Sequence, residues 1–172
     1  MDASGWYVLQ VTTGAEIEIQ KELLRRGVMA VVPIENRVIR SGGKWCEKQY
    51  IVFAGYIFVK MSYTWSQYYI LSGISGVIRL LGGGHKPEPL SRTEAEWIQQ
   101  LNELLKEPSV IDLHDDGSYE IVSGALQHYK DNIIQLQRHH RRAVIKLNVA
   151  GTDTIIKLSF VTPKQTLHKS EG

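Results

Sequence analysis

Runs of aromatic and β-branched residues at Gly5-Trp6-Tyr7-Val8-Leu9-Gln10 and Phe53-Ala54-Gly55-Tyr56-Ile57-Phe58-Val59 predict two strands. Together they hold five aromatics, more than one face of a small sheet can bury. Apolar surface left over on a small domain awaits a partner. After the first strand, Thr13-x-x-Glu16 has capping-box spacing and opens a helix with Ala15, Ile19, Leu23 and Leu24 on or near one stripe, stopped at Gly27. Val28 to Ile34 is apolar and β-rich, and Pro33 places it at an edge or end. Arg37 to Arg40 and Trp45 to Phe53 flank Ser41-Gly42-Gly43-Lys44, a hairpin turn.

A second capping box, Thr64-x-x-Gln67, opens a short helix through Tyr68, Tyr69 and Leu71 to Gly73. Val77 to Leu81 returns as a strand. A third box, Ser91-x-x-Glu94, starts a helix with Ile98, Leu101 and Leu105 on one face, ended by Pro108. The order β-α-β-β-β-α-β-α predicts an α+β domain with helices on an antiparallel sheet. Residues 106–117 contain acids, a proline and little periodicity, which reads as a linker. Beyond it the pattern is of short strands alone, Tyr119–Ser123, Ile133–Gln137, Ala143–Val149 and Thr154–Val161. Such a run predicts a small barrel, whose closure hides its edges. The expected division is 1–105, linker 106–117, 118–164, and a disordered tail at 165–172.

Composition is ordinary for a globular protein, with 43% hydrophobic and 22% charged residues. The start lacks a basic, apolar leader and no stretch is long enough to span a bilayer, so a cytoplasmic protein is expected. Cys46 stands alone, which excludes an internal disulfide. The net charge of +2 is unevenly spread. Residues 1–105 carry 11 Lys+Arg and 10 Asp+Glu, residues 106–116 one and four, and residues 117–172 eight and four. The last segment therefore suits a polyanion, although a solvated basic face fits the count equally.

Catalytic patterns are wanting. Gly82-Gly83-Gly84-His85-Lys86 lacks the Lys-Ser/Thr ending of a phosphate loop and reads as a turn. His139 and His140 are adjacent, so a strand would separate them, and no Cys pair supports zinc. Cys46 has no His nearby in sequence to activate it. No enzyme, cofactor or metal is expected.

An α+β domain, a linker and a small β-barrel resemble the NusG family of transcription elongation factors. Trp6-Tyr7-Val8-Leu9-Gln10 is similar to the opening strand of that family's N-terminal (NGN) domain. Phe53-Ala54-Gly55-Tyr56-Ile57-Phe58-Val59 is similar to its Phe-Pro-Gly-Tyr strand, with Ala54 in place of proline. Gly73-Ile74-Ser75-Gly76-Val77 and the glycines at 82–84 sit where the family has its next loop, strand and turn, and the last part resembles a KOW domain. Within the family, Ser123-Gly124-Ala125-Leu126 and Arg138-His139-His140-Arg141-Arg142-Ala143 resemble the LoaP group, paralogues that prevent premature termination in long operons.

The resemblance implies an RNA polymerase partner, with Tyr56 and Phe58 on positions that meet the clamp helices and Phe53 and Tyr7 lining the same region. Strand alternation puts Tyr56 and Phe58 on one face, so both are site or both are core. Thr64-Trp65-Ser66 aligns with a segment that touches the polymerase gate loop in specialised paralogues, and reads equally as a helix cap followed by a buried Trp65. In the LoaP group the KOW domain recognises a hairpin in nascent RNA. Arg138, His139, His140, Arg141 and Arg142 are then the candidate contacts, with Lys130 and Lys146 near them. A solvated hairpin turn is the alternative; the charge asymmetry and the resemblance favour RNA.

Two positions depart from the pattern. Asn132 stands where the KOW signature has Gly, and Asn is well able to adopt positive φ, so the turn is expected to survive. Val149-Ala150-Gly151-Thr152 lacks the aromatic and the Arg with which general NusG proteins bind Rho and a ribosomal protein. The reading is a monomeric antitermination factor, with no membrane partner, that rides polymerase and reads RNA. Its rivals are a housekeeping NusG coupling polymerase to Rho or the ribosome, and a free-standing RNA-binding protein.

Overall fold

A computed structural model describes residues 4–82 and 87–163. The glycine run at 83–84, His85, Lys86 and the tail at 165–172 lie outside them. Two compact units divide the described residues: those within 1–33, 53–100 and 148–154 form the first, and those within 34–52, 101–147 and 155–172 the second. The architecture is α+β.

The first unit is organised by β1 (Gly5–Val11). It lies inside a four-stranded sheet of order β2-β5-β1-β6, with β2 at Met29–Val31, β5 at Tyr56–Met61 and β6 at Val77–Leu80. Because β1 is internal, side chains on both its faces are covered: Trp6, Tyr7, Val8, Leu9 and Val11 are all buried. The edge position of β2, closed by Pro33, is the one expected. Only the second half of the Phe53–Val59 stretch is strand. Gly55 has φ +85°, so the chain turns before entering β5.

Helix α1 (Glu16–Arg25) packs on β2 and β5 through Ile19 and Leu23, whereas Leu24 is exposed. The Thr13–Glu16 capping box does not form. Gly14 sits at φ +100°, outside helical geometry, so the helix starts later and the Glu16 carboxylate accepts the Gly14 N–H instead. At α2 (Trp65–Ser72) the cap is present, with Thr64 Oγ1 accepting from the Gln67 amide at 3.3 Å. At α3 (Arg92–Leu104) the box closes in both directions: Ser91 Oγ accepts from Glu94 N at 3.2 Å and Glu94 Oε2 from Ser91 N at 3.0 Å.

In the second unit, β3 (Ile34–Ser41) and β4 (Lys44–Ile51) form a long two-stranded ribbon in unbroken register from Ile34↔Ile51 to Ser41↔Lys44. Its two-residue turn holds Gly42 and Gly43 at φ +61° and +79°, the geometry that matches strand twist. The expected linker contains a strand. Ser109–Leu113 forms β7, because its alternating apolar residues bury Ile111 and pair with β8 (Tyr119–Ser123) on one side and, in parallel, with β11 (Thr152–Val161) on the other. The full sheet order is β8-β7-β11-β10-β9, with β9 at Ile133–Gln137 and β10 at Arg142–Val149.

Two short 3-10 turns, at Ala125–Gln127 and Lys130–Asn132, interrupt the run expected to be strands alone. Asn132 does not take the positive φ that the sequence reading expected; it closes the second of these turns and its side-chain amide donates to the Lys146 carbonyl at 3.3 Å. The demanding glycine is Gly124, at φ +99°. A Cβ there would lie 2.5 Å from both Cα and Oγ of Ser109, whose hydroxyl also accepts from Leu126 N at 3.1 Å. Gly124→Ala should therefore lower unfolding free energy by about 2–4 kcal/mol, combining overpacking with a disfavoured φ. Urea denaturation measures it, and an unchanged midpoint would refute the tight packing.

Candidate functional site

The aromatics of the first two sequence motifs are mostly core. Phe53 and Phe58 are 2% and 1% exposed and meet edge to face with ring centroids 5.3 Å apart. Tyr7 is buried and its ring lies 6.3 Å from that of Tyr63. Tyr56, although on the same strand face as Phe58, is only half-buried. The reason is position: Phe58 pairs with Val8 of internal β1 and with Val31 of β2, while Tyr56 sits at the start of its strand.

The exposed aromatics lie one element later. Trp65 is 75% and Tyr69 65% exposed, and Tyr68 is also exposed. Their three rings stand 6.1–6.2 Å apart in mutual contact. A buried Trp65 is thus corrected. The cap at Thr64 forms as expected, but it turns the first residues of α2 outward, leaving Trp65 and Ser66 in solvent and Thr64 half-buried. Beside this cluster an open cavity of about 390 Å³ is lined by Tyr63, Trp65, Tyr68, Ile78 and Arg79 among others. Arg79 is held by Gln10, whose Oε1 accepts from its Nε at 3.0 Å. Tyr63, Tyr68, Tyr69, Ile78 and Arg79 were not singled out from sequence. The available signal was α2 itself, eight residues of which five are apolar or aromatic with no single apolar face, and only Leu71 is buried.

The basic turn is only partly free. Arg138 is committed to structure: its guanidinium donates to the carbonyls of His114 at 3.4 Å, Ser118 at 3.1 Å and Gly117. His139 and His140 are exposed, and the turn brings their rings within 5.3 Å instead of separating them as a strand would. Arg141 takes φ +56° and its carbonyl accepts from Phe160 N at 3.1 Å. Arg142 is half-buried and donates to the His140 carbonyl at 3.0 Å. Burial and the nearby Arg37 guanidinium push its pKa below the usual arginine range. Lys130 and Lys146 are exposed, and the Asn132–Lys146 bond brings their segments together.

Near Arg142 lies a polar cluster that sequence reading missed. Glu35 is 3% exposed, and its carboxylate accepts from Ser159 N at 2.5 Å, from the Ser159 hydroxyl, and from Arg37 Nε at 2.7 Å. Arg37 also donates to the Lys157 carbonyl at 3.1 Å, and its guanidinium lies 4.2 Å from the ring centroid of Tyr50. Both oxygens of the buried carboxylate thus have donors, one of them charged, the condition under which such burial is tolerated. The base of the β3–β4 ribbon is thereby fixed against β11 and beside Arg142.

These placements separate core from surface. Phe58→Ala should cost about 3–5 kcal/mol of stability as a large cavity opens. Trp65→Ala, removing a solvated side chain, should change stability by no more than about 0.5 kcal/mol. Chemical denaturation of both variants checks the contrast; equal losses would mean that Trp65 is packed.

A sequence model of the family described as "Transcription termination factor nusG" matches residues 4–99, more than half of the chain. The "Transcription termination/antitermination protein NusG" of Halalkalibacterium halodurans is 26% identical over 168 residues, covering 90% of this chain and 94% of that protein. The protein of the same name from Bacillus subtilis is 25% identical over 167 residues, with the same coverage. Among solved structures, one described as "Domain interaction in Thermotoga maritima NusG" aligns over 91% of this chain and 94% of that one, at 16% identity and a TM-score of 0.46. On the match of the family model to residues 4–99, the chain belongs to the NusG family of transcription termination/antitermination factors.

Proposed function

We propose that this protein suppresses termination in specific operons by binding RNA polymerase through its N-terminal (NGN) part and nascent RNA through a KOW-type C-terminal part, in the manner of the LoaP group. The domain division 1–105, 106–117 and 118–164 goes with this reading, residues 109–113 serving as a strand within the connecting segment. The carrying observation is the exposed cluster of Trp65, Tyr68 and Tyr69, in mutual edge-to-face and tilted contact, beside an open cavity. Rigid aromatics left in solvent are the residues that dominate protein interfaces, because they offer large area at little rotamer cost. Trp65 with Thr64 and Ser66 would meet the gate loop. Tyr56 would meet the clamp helices, over a floor shaped by Tyr7, Phe53 and Phe58. A factor bridging both would favour the closed, elongating polymerase by binding it better than the open form.

His139, His140, Arg141, Lys130 and Lys146 would be the RNA contacts, with Arg138 and Arg142 holding the turn. A housekeeping NusG role is the second reading, favoured by the names of the relatives and their coverage. The turn between β10 and β11 counts against Rho or ribosome coupling: Ala150 and Gly151, at φ +48° and +82°, form a two-residue turn without the aromatic and Arg that serve it.

Trp65→Ala with Tyr69→Ala should reduce retention of the chain on immobilised RNA polymerase at least tenfold while leaving thermal unfolding unchanged. Undiminished retention would remove α2 from the interface. Arg141→Glu with Lys146→Glu should weaken binding to RNA from a candidate operon leader, and wild-type affinity should fall steeply with salt, as displaced counterions require. Terminator read-through with purified polymerase, with and without that leader, distinguishes the two readings: leader-independent read-through would overturn the operon-specific one.

A further inference from the structure

The β3–β4 ribbon carries chemistry that the reading above leaves unused. Between residues 36 and 49 it has Arg37, Arg40, Lys44 and Lys48 against Glu47 alone. Arg37 is spent on Glu35, Tyr50 and the Lys157 carbonyl, but Arg40, Lys44 and Lys48 are exposed and have no ion-pair partner among the described residues. Trp45 is 58% exposed at the far end of the ribbon. It pairs across the strands with Arg40, and directly opposed residues share a face with Cβ atoms about 5 Å apart. An exposed indole with a guanidinium at its side, on a ribbon whose opposite face carries Lys44 and Lys48, is poorly suited to a protein core. It is well suited to an unstacked base flanked by phosphates.

Location decides what kind of polyanion. Glu35 at the base of the ribbon accepts from Ser159, and the next residue, Phe160, donates its N–H to the Arg141 carbonyl at 3.1 Å, so the ribbon base stands beside the basic turn; Lys48 is the cross-strand partner of Arg37. Three residues farther along the strand, about 10 Å at the strand rise, stands Arg40 with Trp45. By strand alternation Lys44 and Lys48 share the face of Arg37, whereas Arg40 and Trp45 project from the opposite face near the tip, so the ribbon carries cations on both faces and its aromatic at the end. We propose that the β3–β4 ribbon is a second RNA-contact element, in which Lys48 and Lys44 follow the phosphates of the RNA held at the basic turn, and Arg40 and Trp45, on the other face near the tip, take an unpaired loop base, Trp45 by stacking and Arg40 on its phosphate. This rests on the RNA-binding reading of the turn and extends it by naming the ligand feature: a stem whose loop offers a splayed base. The Glu35 cluster would make the ribbon a rigid arm, so that little ordering entropy opposes binding.

The test uses the full chain and a fluorescein-labelled stem-loop RNA enriched on it from a randomised-loop pool, with a double-stranded DNA of matched length as the comparison probe. Circular dichroism and thermal unfolding accompany each variant. Trp45→Ala should weaken RNA binding at least fivefold and abolish photo-crosslinking to position 45. Arg40→Glu with Lys44→Glu should weaken it further and lower the slope of log affinity against log salt by about two. Ribbon variants that bind as the wild type does, while Arg141→Glu with Lys146→Glu does not, would overturn the ribbon assignment and keep the turn. Loss in the ribbon variants alone would overturn the turn as the anchoring site and keep the ribbon. Equal loss for RNA and duplex DNA would overturn RNA as the occupant.

Discussion

Much of the second unit depends on one buried carboxylate. Glu35 has no solvent to stabilise its charge, so it must be met by donors, and these come from its own strand and from Ser159, 124 residues away in sequence. A bond across that separation ties the ribbon base to β11 and holds Arg37 over Tyr50. It also sets the surroundings of Arg142, whose depressed pKa reports both burial and a like-charged neighbour. Buried charges of this kind stabilise little in net terms. What they impose is geometry, since an alternative docking would leave the carboxylate unpaired.

The first unit obeys a different constraint. Its internal strand β1 has neighbours on both sides and cover on both faces, so it takes the aromatics that adjoin it into the core. Phe53, Phe58 and Tyr7 shape the fold and can act on a partner only as a floor. The side chains left to touch another molecule are on α2. That helix is short, rich in aromatics without a single apolar face, and has one buried residue, so its exposed aromatics have only solvent or a partner to face. Surface of this sort is tolerated on a small domain where it is used.

The local elements were largely legible. The capping boxes at Thr64 and Ser91, the Gly42-Gly43 turn and the strand positions follow from backbone chemistry within a few residues, and they are found where expected. The misreadings share a cause. Gly14 displaced the Thr13 cap through its own φ, and Ser109–Leu113 became strand because distant β11 was available to pair with it. Arg138 looked like part of an exposed basic run. Three carbonyls of a turn some 20 residues earlier claim its guanidinium, and no local pattern could have announced that.

The sequence by itself determined the elements, the family and the uneven distribution of charge, because periodicity, turn residues and composition are properties of neighbouring positions. Only the tertiary structure decided which aromatics are core and which are surface, since strand alternation assigns a face but not what covers it. It also decided that the β3–β4 ribbon stands beside the basic turn. That juxtaposition rests on Glu35 finding Ser159, a long-range pairing driven by the cost of an unsatisfied buried charge.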